Sequence, residues 1–546
     1  CKLYLKHVSG KVPAEIYFNL GLAYGTLNQD LESLHYFKLA LQQEPQNSLA
    51  YYSVGYLLYK QSRFFEASFH LEKALEYNPD FPEAYCNLLH IQHVLGQSNP
   101  HLMQRALQKW PLDPLFWNHW FQYLFVTVTI TPEQLFKAHC DYGNRLLQET
   151  SCTFTVFNNR VDPNRKIRLG YLSRDFYDQS ARFFFQPFFT QCDRNQFEIY
   201  IYVDMAETDN VTEWLKTLAD QWYNVSSLSI HAIAELIYHD QIDILIDQGT
   251  GPTGGRCFKV FACKPAPIQI SRYHNSTGLR TFDYRMSDHY LEPPVPPRTT
   301  QKFFESSELG EGISTPDLSV EPLLRVSHSV FCYCPLQDSP EVGSLPFDRN
   351  GYITLGSFNQ PSKMNREVVT LWARILQSLP SSQLILKYYH FRSLDVRKQY
   401  WSLFEENNIE RSRIVFLPFT EGRREHLNLY NQMDIALDPF PFNGHTTSME
   451  SLYMGVPVVT LKGRTPFGRV TYSFLAILGL HEFVAETQEE YIKIVLERVY
   501  NLPQLRELRQ SLRMRLLNSP LCDQNAFIKE IEQFYRHVWK QWCQLV

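Results

Sequence analysis

Residues 435–461 read IALDPFPFNGHTTSMESLYMGVPVVTL, and this stretch predicts a strand, a turn, a helix and a second strand. Short apolar runs at Ile435–Asp438 and Val456–Leu461 are typical of buried strands, since turn residues lie between them. The helix is expected to begin near Thr446, with hydroxyl side chains in its first turn. This alternation of strand and helix predicts an α/β domain built on a parallel sheet.

The same alternation covers most of the chain and predicts two such domains. In the first domain, strands are expected at Ile167–Ser173, Phe197–Val203 and Ile242–Ile246. In the second domain, we further expect strands at Tyr352–Phe358, Gln383–Lys387 and Arg413–Leu417, and a helix at Val368–Leu379. Ligands of doubly wound folds bind beyond the carboxyl ends of the strands, so we expect the functional site in the crevice between the two domains.

An internal repeat with a period of 34 residues precedes these domains. It aligns Ala14–Gln46, Ser48–Phe81 and a weaker third unit that starts at Pro82. Small residues at Gly21 and Gly55 allow two helices per unit to pack closely, which predicts tetratricopeptide (TPR) repeats. Such repeats form either a packing scaffold or a concave groove for a peptide, and both interpretations remain open at this point.

These patterns predict that the chain divides into four segments. They are the TPR repeats at 1–112, a helical connector at 113–160, a first α/β domain at 161–345 with a proline-rich insert at 291–327, and a second α/β domain at 346–546. The connector is expected to contain a helix at Pro132–Glu149.

Composition narrows the class of protein. The chain has 546 residues, 44% of them hydrophobic, and is long enough for several packed domains. A net charge of -5 lacks the basic excess of general nucleic-acid binders, so no nucleic-acid partner is expected. Eleven cysteines without a C-x-x-C pair favour reduced thiols and a cytoplasmic location. We expect no membrane span and, because the chain starts at Cys1, a longer parent protein.

Two loops at strand ends carry candidate phosphate-binding side chains. Thr446 and Thr447 open a predicted helix, whose N–H groups and dipole favour a diphosphate; helix capping is the alternative role for these hydroxyls. Glu450, one turn later, can accept a hydrogen bond from a ribose hydroxyl. Lys363 can neutralise a departing diphosphate, although a loop lysine is more often a solvated charge.

A series of motifs in one order carries a family resemblance. The motifs are IRLGYLSRDF (167–176), DILID (243–247), CKPAPIQ (263–269), STG (276–278), DY (283–284), GSFNQ (356–360) with Lys363, NGHTT (443–447) and MGVP (454–457). With them the chain resembles the TPR-bearing protein O-glycosyltransferases of the O-GlcNAc transferase and Spindly group. The resemblance implies a GT-B fold, a nucleotide-sugar donor bound in the C-terminal half, and transfer of the sugar to Ser or Thr hydroxyls of a protein acceptor.

The resemblance also implies roles for individual positions. Lys363 is implied as the catalytic lysine, with Gln360 beside it on the diphosphate. Further contacts to the nucleotide-sugar are implied at Arg423, His426, His445, Thr446, Thr447 and Glu450. The acceptor and sugar side is implied at Pro265, Pro267, Gln269, Thr277 and Gly278. Apart from the donor substrate, the resemblance implies neither a cofactor nor a metal.

Two departures from the family pattern affect proton transfer. Gln179 stands where the family has a histidine discussed as a base, and glutamine cannot take up a proton near pH 7. His274 is an additional imidazole that could transfer the proton instead or could be a hydrogen-bonded loop residue. We expect an active transferase that uses UDP-GlcNAc. The alternatives are GDP-fucose as the donor, or a TPR adaptor with a degenerate transferase domain.

Overall fold

The computed structural model describes residues 11–151, 153–249, 251–293, 313–314 and 318–546, and these residues group into two units. Unit 1 comprises the described residues up to Tyr123 together with Gln360–Ala373 and Lys387–Phe419. Unit 2 comprises the described parts of Leu124–Asn359, Arg374–Leu386 and Thr420–Val546. Most of the predicted proline-rich insert at 291–327 lies outside the described residues.

Helices form at the following positions of the described chain. They are α1 (Ala14–Thr26), α2 (Asp30–Gln43), α3 (Ser48–Lys60), α4 (Phe64–Tyr77), α5 (Pro82–Val94), α6 (Pro100–Lys109), α7 (Pro114–Val126), α8 (Pro132–Glu149), α9 (Arg182–Thr190), α10 (Asn210–Lys216), α11 (Ile230–His239), α12 (Arg256–Ala262), α13 (Pro346–Asn350), α14 (Arg366–Ser378), α15 (Leu394–Glu405), α16 (Arg423–Asn428), α17 (Thr446–Tyr453), α18 (Val470–Ile477), α19 (Gln488–Val499), α20 (Leu502–Leu517) and α21 (Gln524–Leu545).

Strands form at the following positions. They are β1 (Ile167–Ser173), β2 (Phe197–Val203), β3 (Gln221–Asn224), β4 (Ile244–Asp247), β5 (Ile268–Ser271), β6 (Tyr284–Asp288), β7 (Ile313–Ser314), β8 (Leu323–Val326), β9 (Thr354–Ser357), β10 (Gln383–Leu386), β11 (Ile414–Phe416), β12 (Ile435–Leu437), β13 (Val458–Leu461) and β14 (Val484–Ala485).

The repeats of unit 1 fold as the 34-residue period predicts. Helix α1 packs against α2 and α3 against α4, and a Cβ atom at Gly55 would lie 2.9 Å from the side chain of Leu71. In each of the three repeats, the turn between the two helices contains a residue with positive φ at the same register: Asn28, Ser62 and Gly96. The third repeat, α5 with α6, keeps this turn although its sequence matches the other two repeats less well. The predicted TPR architecture is therefore confirmed.

Unit 2 contains two sheets. The first has the strand order β3-β2-β1-β4-β5-β6-β8-β7 and is parallel except for the antiparallel pair β7 and β8. In the second sheet, the strands of unit 2 have the order β10-β9-β12-β13-β14 and are all parallel. The predicted α/β fold with two parallel sheets is confirmed, and the stretch 435–461 forms β12, α17 and β13 within it.

Individual strands agree with the sequence prediction to different degrees. Strands β1 and β2 have the predicted bounds, whereas β4 begins at Ile244 rather than Ile242. The sequence analysis did not predict strands β3, β5, β6, β7, β8 and β14. In β6, for example, Arg285 is completely buried, and a buried arginine contradicts the apolar pattern expected of a core strand. Its guanidinium is satisfied by two hydrogen bonds to the carboxylate of Glu292, at 2.7 and 2.8 Å.

Helix α8 holds the loop that follows β5. It has the predicted bounds Pro132–Glu149 and starts with a capping box between Thr131 and Gln134. Gly143 on this helix and Gly278 in the loop leave no room for a Cβ atom, since each would collide with backbone atoms across the contact. Gly278 also has a φ of +71°. The loop that carries the STG motif is therefore fixed by backbone-to-backbone packing on α8.

Candidate active site

The turn before α17 is closed by a buried carboxylate. Asp438, directly after β12, accepts hydrogen bonds from the backbone N–H of Gly444 at 2.7 Å and from Thr460 Oγ1 at 2.6 Å. A Cβ atom at Gly444 would lie 2.8 Å from Thr447 Oγ1 and 2.9 Å from Asp438 Oδ1, so glycine is required at this point of the turn. The turn thus directs the chain into α17 at Thr446.

The two threonines at the start of α17 do not cap the helix. The residue at the N-cap is His445, and no side chain caps the first turn. Thr446 Oγ1 donates to the carbonyl of Ser180 at 3.3 Å, and Thr447 Oγ1 donates to Asn359 Oδ1 at 2.9 Å. Because the backbone N–H groups of the first turn receive no side-chain cap, they are available to an anion. This favours the phosphate-binding role over the capping role.

Glu450 is the centre of a buried polar cluster. Its Oε2 atom accepts hydrogen bonds from His426 Nε2 and from Tyr430 Oη, both at 3.0 Å, and Arg423 Nη1 lies 3.9 Å from Oε1. Burial by itself would raise the pKa of the Glu450 carboxyl, but His426 and Arg423 outweigh it and hold that pKa below its usual value. The carboxylate is therefore ionised at neutral pH. The structure brings together three residues predicted as nucleoside contacts; Tyr430 was not predicted.

The loop around Gln179 faces the same region of unit 2. Arg423 Nε lies 3.9 Å from Asp178 Oδ1, and the Arg423 guanidinium lies 5.4 Å from the ring centroid of Phe183. The Gln179 amide is engaged within its own loop: Nε2 donates to the carbonyl of Asp175 at 3.2 Å, and Oε1 accepts from the N–H of Ala181 at 3.1 Å. Gln179 thus stabilises this loop, whose neighbour Ser180 contacts Thr446.

His274 and His445 meet in an aromatic cluster. Their ring centroids are 5.4 Å apart, and Phe331 and Phe467 lie 4.7 and 5.4 Å from the ring of His274. Burial, together with the charges of Arg272 and Arg285, lowers the pKa of His274 to about 3. The imidazole is therefore neutral and only weakly basic, which does not favour a role in taking the acceptor proton.

The positions predicted for the acceptor side lie in the interior of unit 2. Gln269 is completely buried, and its Nε2 donates to the carbonyls of Phe261 and Thr281 at 3.0 and 2.9 Å. Thr277 is also completely buried; its N–H donates to Glu321 Oε1 at 2.8 Å and its hydroxyl donates to the same carboxylate. Pro265 and Pro267 are buried as well. Gln269 and Thr277 thus hold the loop around Gly278, and the contact of all these positions with an acceptor stays a prediction.

Gln360 and Lys363 belong to unit 1. Gln360 directly precedes the short turn Pro361–Lys363, which ends at Lys363, and the N–H of Lys363 donates to the carbonyl of Gln360 at 3.0 Å. The Gln360 side chain is bonded to the third repeat, since its Nε2 lies 2.9 Å from His93 Nε2. His93 was not among the predicted site residues.

A family model decides the relationship of the chain. The model of glycosyl transferase family 41 matches residues 143–305 and 344–531, and a tetratricopeptide repeat model matches residues 14–47. The chain belongs to glycosyl transferase family 41. Every predicted site residue lies within the two segments that the family 41 model matches. His93 lies outside them.

Two curated relatives share sequence similarity with this chain. A Petunia hybrida protein named "Probable UDP-N-acetylglucosamine--peptide N-acetylglucosaminyltransferase SPINDLY" is 33% identical over 417 residues, which are 75% of this chain and 42% of that protein. The Arabidopsis thaliana protein SEC, given the same enzyme name, is 28% identical over 396 residues, which are 69% of this chain and 38% of SEC. This chain thus spans about two fifths of the length of these relatives.

The structural comparison extends over the whole fold. A lysine-to-methionine variant of the Thermobaculum terrenum O-GlcNAc transferase superimposes with a TM-score of 0.83 and 30% identity, covering 97% of this chain and 98% of that one. The similarity confirms the predicted GT-B fold preceded by TPR helices, and the resemblance to the O-GlcNAc transferase and Spindly group.

Three further predictions concern metals, membranes and cysteines. Within the described ranges, no group of three or more His, Cys, Asp or Glu side chains is arranged to hold a metal ion. No helix in the described part of the chain has both the length and the apolar character needed to cross a membrane. The nine cysteines that the structure describes are free thiols; Cys1 and Cys152 lie outside the described residues.

Proposed function

We propose that this protein is a protein O-glycosyltransferase that transfers GlcNAc from UDP-GlcNAc to Ser or Thr hydroxyls of a protein acceptor. The observation that carries the proposal is the uncapped start of α17, which Asp438 and Gly444 hold open toward an anion. Membership of family 41 and the enzyme names of the relatives support it. The TPR repeats offer a groove for the acceptor.

The chemistry is displacement of a nucleoside diphosphate with inversion at the anomeric carbon. The bond from this carbon to its phosphate oxygen breaks, a bond to the acceptor oxygen forms, and the transition state resembles an oxocarbenium ion. Negative charge therefore develops on the leaving diphosphate. The N–H groups and dipole of α17 at Thr446 and Thr447 stabilise this charge. The family resemblance implies that Lys363 adds a positive charge. In this proposal, these groups stabilise the leaving diphosphate without a metal ion.

The cluster around Glu450 is proposed to hold the nucleoside. The ion pair between Glu450 Oε1 and Arg423 spans 3.9 Å, so Oε1 can still accept a hydrogen bond from a ribose hydroxyl. Oε2 is held by His426 and Tyr430, which fixes the orientation of the carboxylate. A carboxylate that is already ionised and oriented accepts this bond with little reorganisation.

Positioning of the acceptor is proposed to matter more than a strong base. Gln179 takes up no proton, and the low pKa of His274 makes it a weak base. The acceptor proton can leave late, after the bond to the leaving group has largely broken, so a weakly basic site is sufficient. Holding the hydroxyl oxygen against the anomeric carbon then supplies much of the rate enhancement.

A donor-selection experiment tests the proposal. The purified chain is incubated with EDTA and with UDP-GlcNAc, GDP-fucose, UDP-glucose or UDP-galactose, and the melting temperature and transfer to a Ser/Thr peptide library are measured. Ligands that bind the folded state raise the melting temperature by linkage. Stabilisation and transfer with UDP-GlcNAc are expected. If no nucleotide-sugar or diphosphate shifts the transition, the adaptor alternative is favoured instead.

GDP-fucose is the second candidate donor. Residues 450–457, ESLYMGVP, resemble the Spindly side of the family, for which the resemblance implies GDP-fucose as the donor. Selective stabilisation by GDP-fucose and GDP in the same experiment would support this donor and exclude UDP-GlcNAc.

A further inference from the structure

We propose that His93, on helix α5 of the third TPR unit, is a positioning residue that orients the Gln360 amide for the donor diphosphate. The inference rests on the proposed function, and in particular on the diphosphate contact that the family resemblance implies for Gln360. His93 lies outside the residues that the family 41 model matches. It acts through Gln360 and needs no contact with the substrate of its own.

The first support is the contact itself. The Nε2 atoms of Gln360 and His93 are 2.9 Å apart, and both residues belong to unit 1. In this pair the amide nitrogen donates and the imidazole accepts, so the ring proton is on Nδ1. Helix α5 is a rigid platform, since Leu89 and Val94 beside His93 are completely buried.

The second support is the protonation state of the imidazole. Burial and the neighbouring His119, His90 and His390 lower the pKa of His93 to about 3. His93 is therefore neutral at physiological pH and keeps a lone pair on Nε2 for the amide. A protonated imidazole could only donate and would require the Gln360 amide to turn over.

The third support is the effect on Gln360. A glutamine amide has two N–H donors and one carbonyl oxygen, and rotation by 180° exchanges them. The bond to His93 selects the orientation in which the nitrogen faces α5. One N–H is then held by His93, and the second is available to a phosphate oxygen. Without His93 the amide samples both orientations, and one of them turns the carbonyl oxygen toward the negatively charged ligand.

The register of the repeats shows that this contact is specific to the third unit. Counting back by one and two repeats, the position of His93 is occupied by Tyr59 and Gly25. A second hydrogen bond stabilises the residue after Gln360: Tyr400 on α15 donates to the carbonyl of Pro361. Tyr400 in turn packs against Gly96, where a Cβ atom would lie 2.6 Å from its hydroxyl. The third repeat therefore stabilises the turn at Gln360 in two ways, through His93 and through the packing of Gly96 on Tyr400.

The test compares an apolar and a conservative variant of His93. In H93L, Kd for the nucleoside diphosphate and KM for the donor should rise about five- to tenfold, the loss expected for one neutral hydrogen bond, while kcat changes little. In H93Q, the side-chain oxygen reaches the position of Nε2, so affinity should return to within about twofold of the wild type. Binding is measured by calorimetry with UDP and GDP, the melting temperature is recorded for each variant, and donor KM and kcat are measured in the transfer assay.

A matched control uses the neighbouring histidine. His90 lies on the same helix, and its ring packs against the rings of Tyr59, His119 and His390. H90F should therefore change the melting temperature without weakening diphosphate binding. A merely structural role of His93 would make H93L and H90F behave alike, and this result would overturn the inference.

A double-mutant cycle isolates the pair. If His93 acts through Gln360, the H93L substitution should have no further effect on Kd when Gln360 is already alanine. Equal effects of H93L in both backgrounds, or unchanged binding by H93L alone, would refute the inference while the proposed function stands. If the wild type binds no nucleoside diphosphate, the proposed function fails first, and the inference fails with it.

Discussion

Asp438 accepts a hydrogen bond from the backbone N–H of Gly444 at 2.7 Å, and this bond closes the turn between β12 and α17. Both residues are buried, and the same carboxylate also binds Thr460 on β13. The geometry of the candidate phosphate site therefore depends on two residues that need not touch a ligand themselves.

Substitution of Gly444 by alanine should damage this turn. The new methyl group would collide with Ser448 Oγ and lie 2.8 Å from Thr447 Oγ1, so we expect a loss of about 1–3 kcal/mol in stability and a larger loss in diphosphate affinity. The measurements are chemical denaturation and calorimetry with UDP and GDP. Gly351→Ala is the control, since its Cβ meets nothing within 4 Å and only the φ of +73° is strained. Equal diphosphate affinity in the two variants would contradict the prediction.

Substitution of Lys363 by alanine should abolish turnover without unfolding the protein. If Lys363 neutralises the leaving diphosphate, kcat should fall by at least about a hundredfold. Stability should change by less than about 1 kcal/mol, because the side chain is only half-buried. Steady-state kinetics measure the loss of turnover and thermal denaturation measures stability. The control is Lys398→Ala, because Lys398 on α15 is exposed. A large drop in stability would instead make Lys363 structural.

Replacement of Gln179 by histidine tests whether a base has been lost. If positioning dominates the reaction, kcat of Q179H should stay within about tenfold of the wild type, far below the 10²–10⁴ that general base catalysis supplies. The pH dependence of kcat/KM should also stay unchanged. A gain of several hundredfold, with a new dependence on a group that titrates near pH 6.5, would show that the site lacks a base that the reaction needs.

The Glu450 cluster should make stability depend on acid pH. Because the folded pKa of Glu450 is below its unfolded value, its contribution is present above the unfolded pKa and is lost as pH falls through the folded pKa. Glu450→Gln should therefore be less stable than the wild type at pH 7, and the difference should shrink as the pH falls below the ordinary range of glutamate. Denaturation from pH 7 to pH 3 measures this, with exposed Glu425→Gln on α16 as the control. A difference that is constant with pH would disprove the electrostatic origin.

Much of the fold could be predicted because it repeats simple periodicities. The 34-residue period places a left-handed turn residue at Asn28, Ser62 and Gly96, and β1 and β2 are predominantly apolar strands. Strand β6 was missed because its arginine, serine and aspartate are buried, and part of their compensation comes from outside the strand: Glu292 binds Arg285, and the N–H of Val330 binds Asp288. Local pattern cannot reveal a compensating partner that is supplied by another segment.

The candidate site divides in the same way. Thr446, Thr447 and Glu450 could be predicted because a strand, a glycine turn and a helix start succeed one another within a few residues, and the spacing alone places them at a helix N-terminus. The partners of these residues could not be predicted. Tyr430 binds Glu450 and Asn359 binds Thr447. Asn359 lies in the GSFNQ motif, but the motif does not reveal that its partner is Thr447.

The sequence by itself therefore determined the repeat architecture, the parallel α/β sheets and the residue types of the candidate diphosphate site, because these depend on periodicity and short-range spacing. Only the tertiary structure decided which side chains work together. The structure places the Gln269 and Thr277 side chains in the protein interior, and it buries His274 near Arg272 and Arg285, which lowers the pKa of that imidazole. It also brings His93 to Gln360 across 267 positions of the chain. Burial and long-range hydrogen bonds set these roles, and both arise only when distant segments pack.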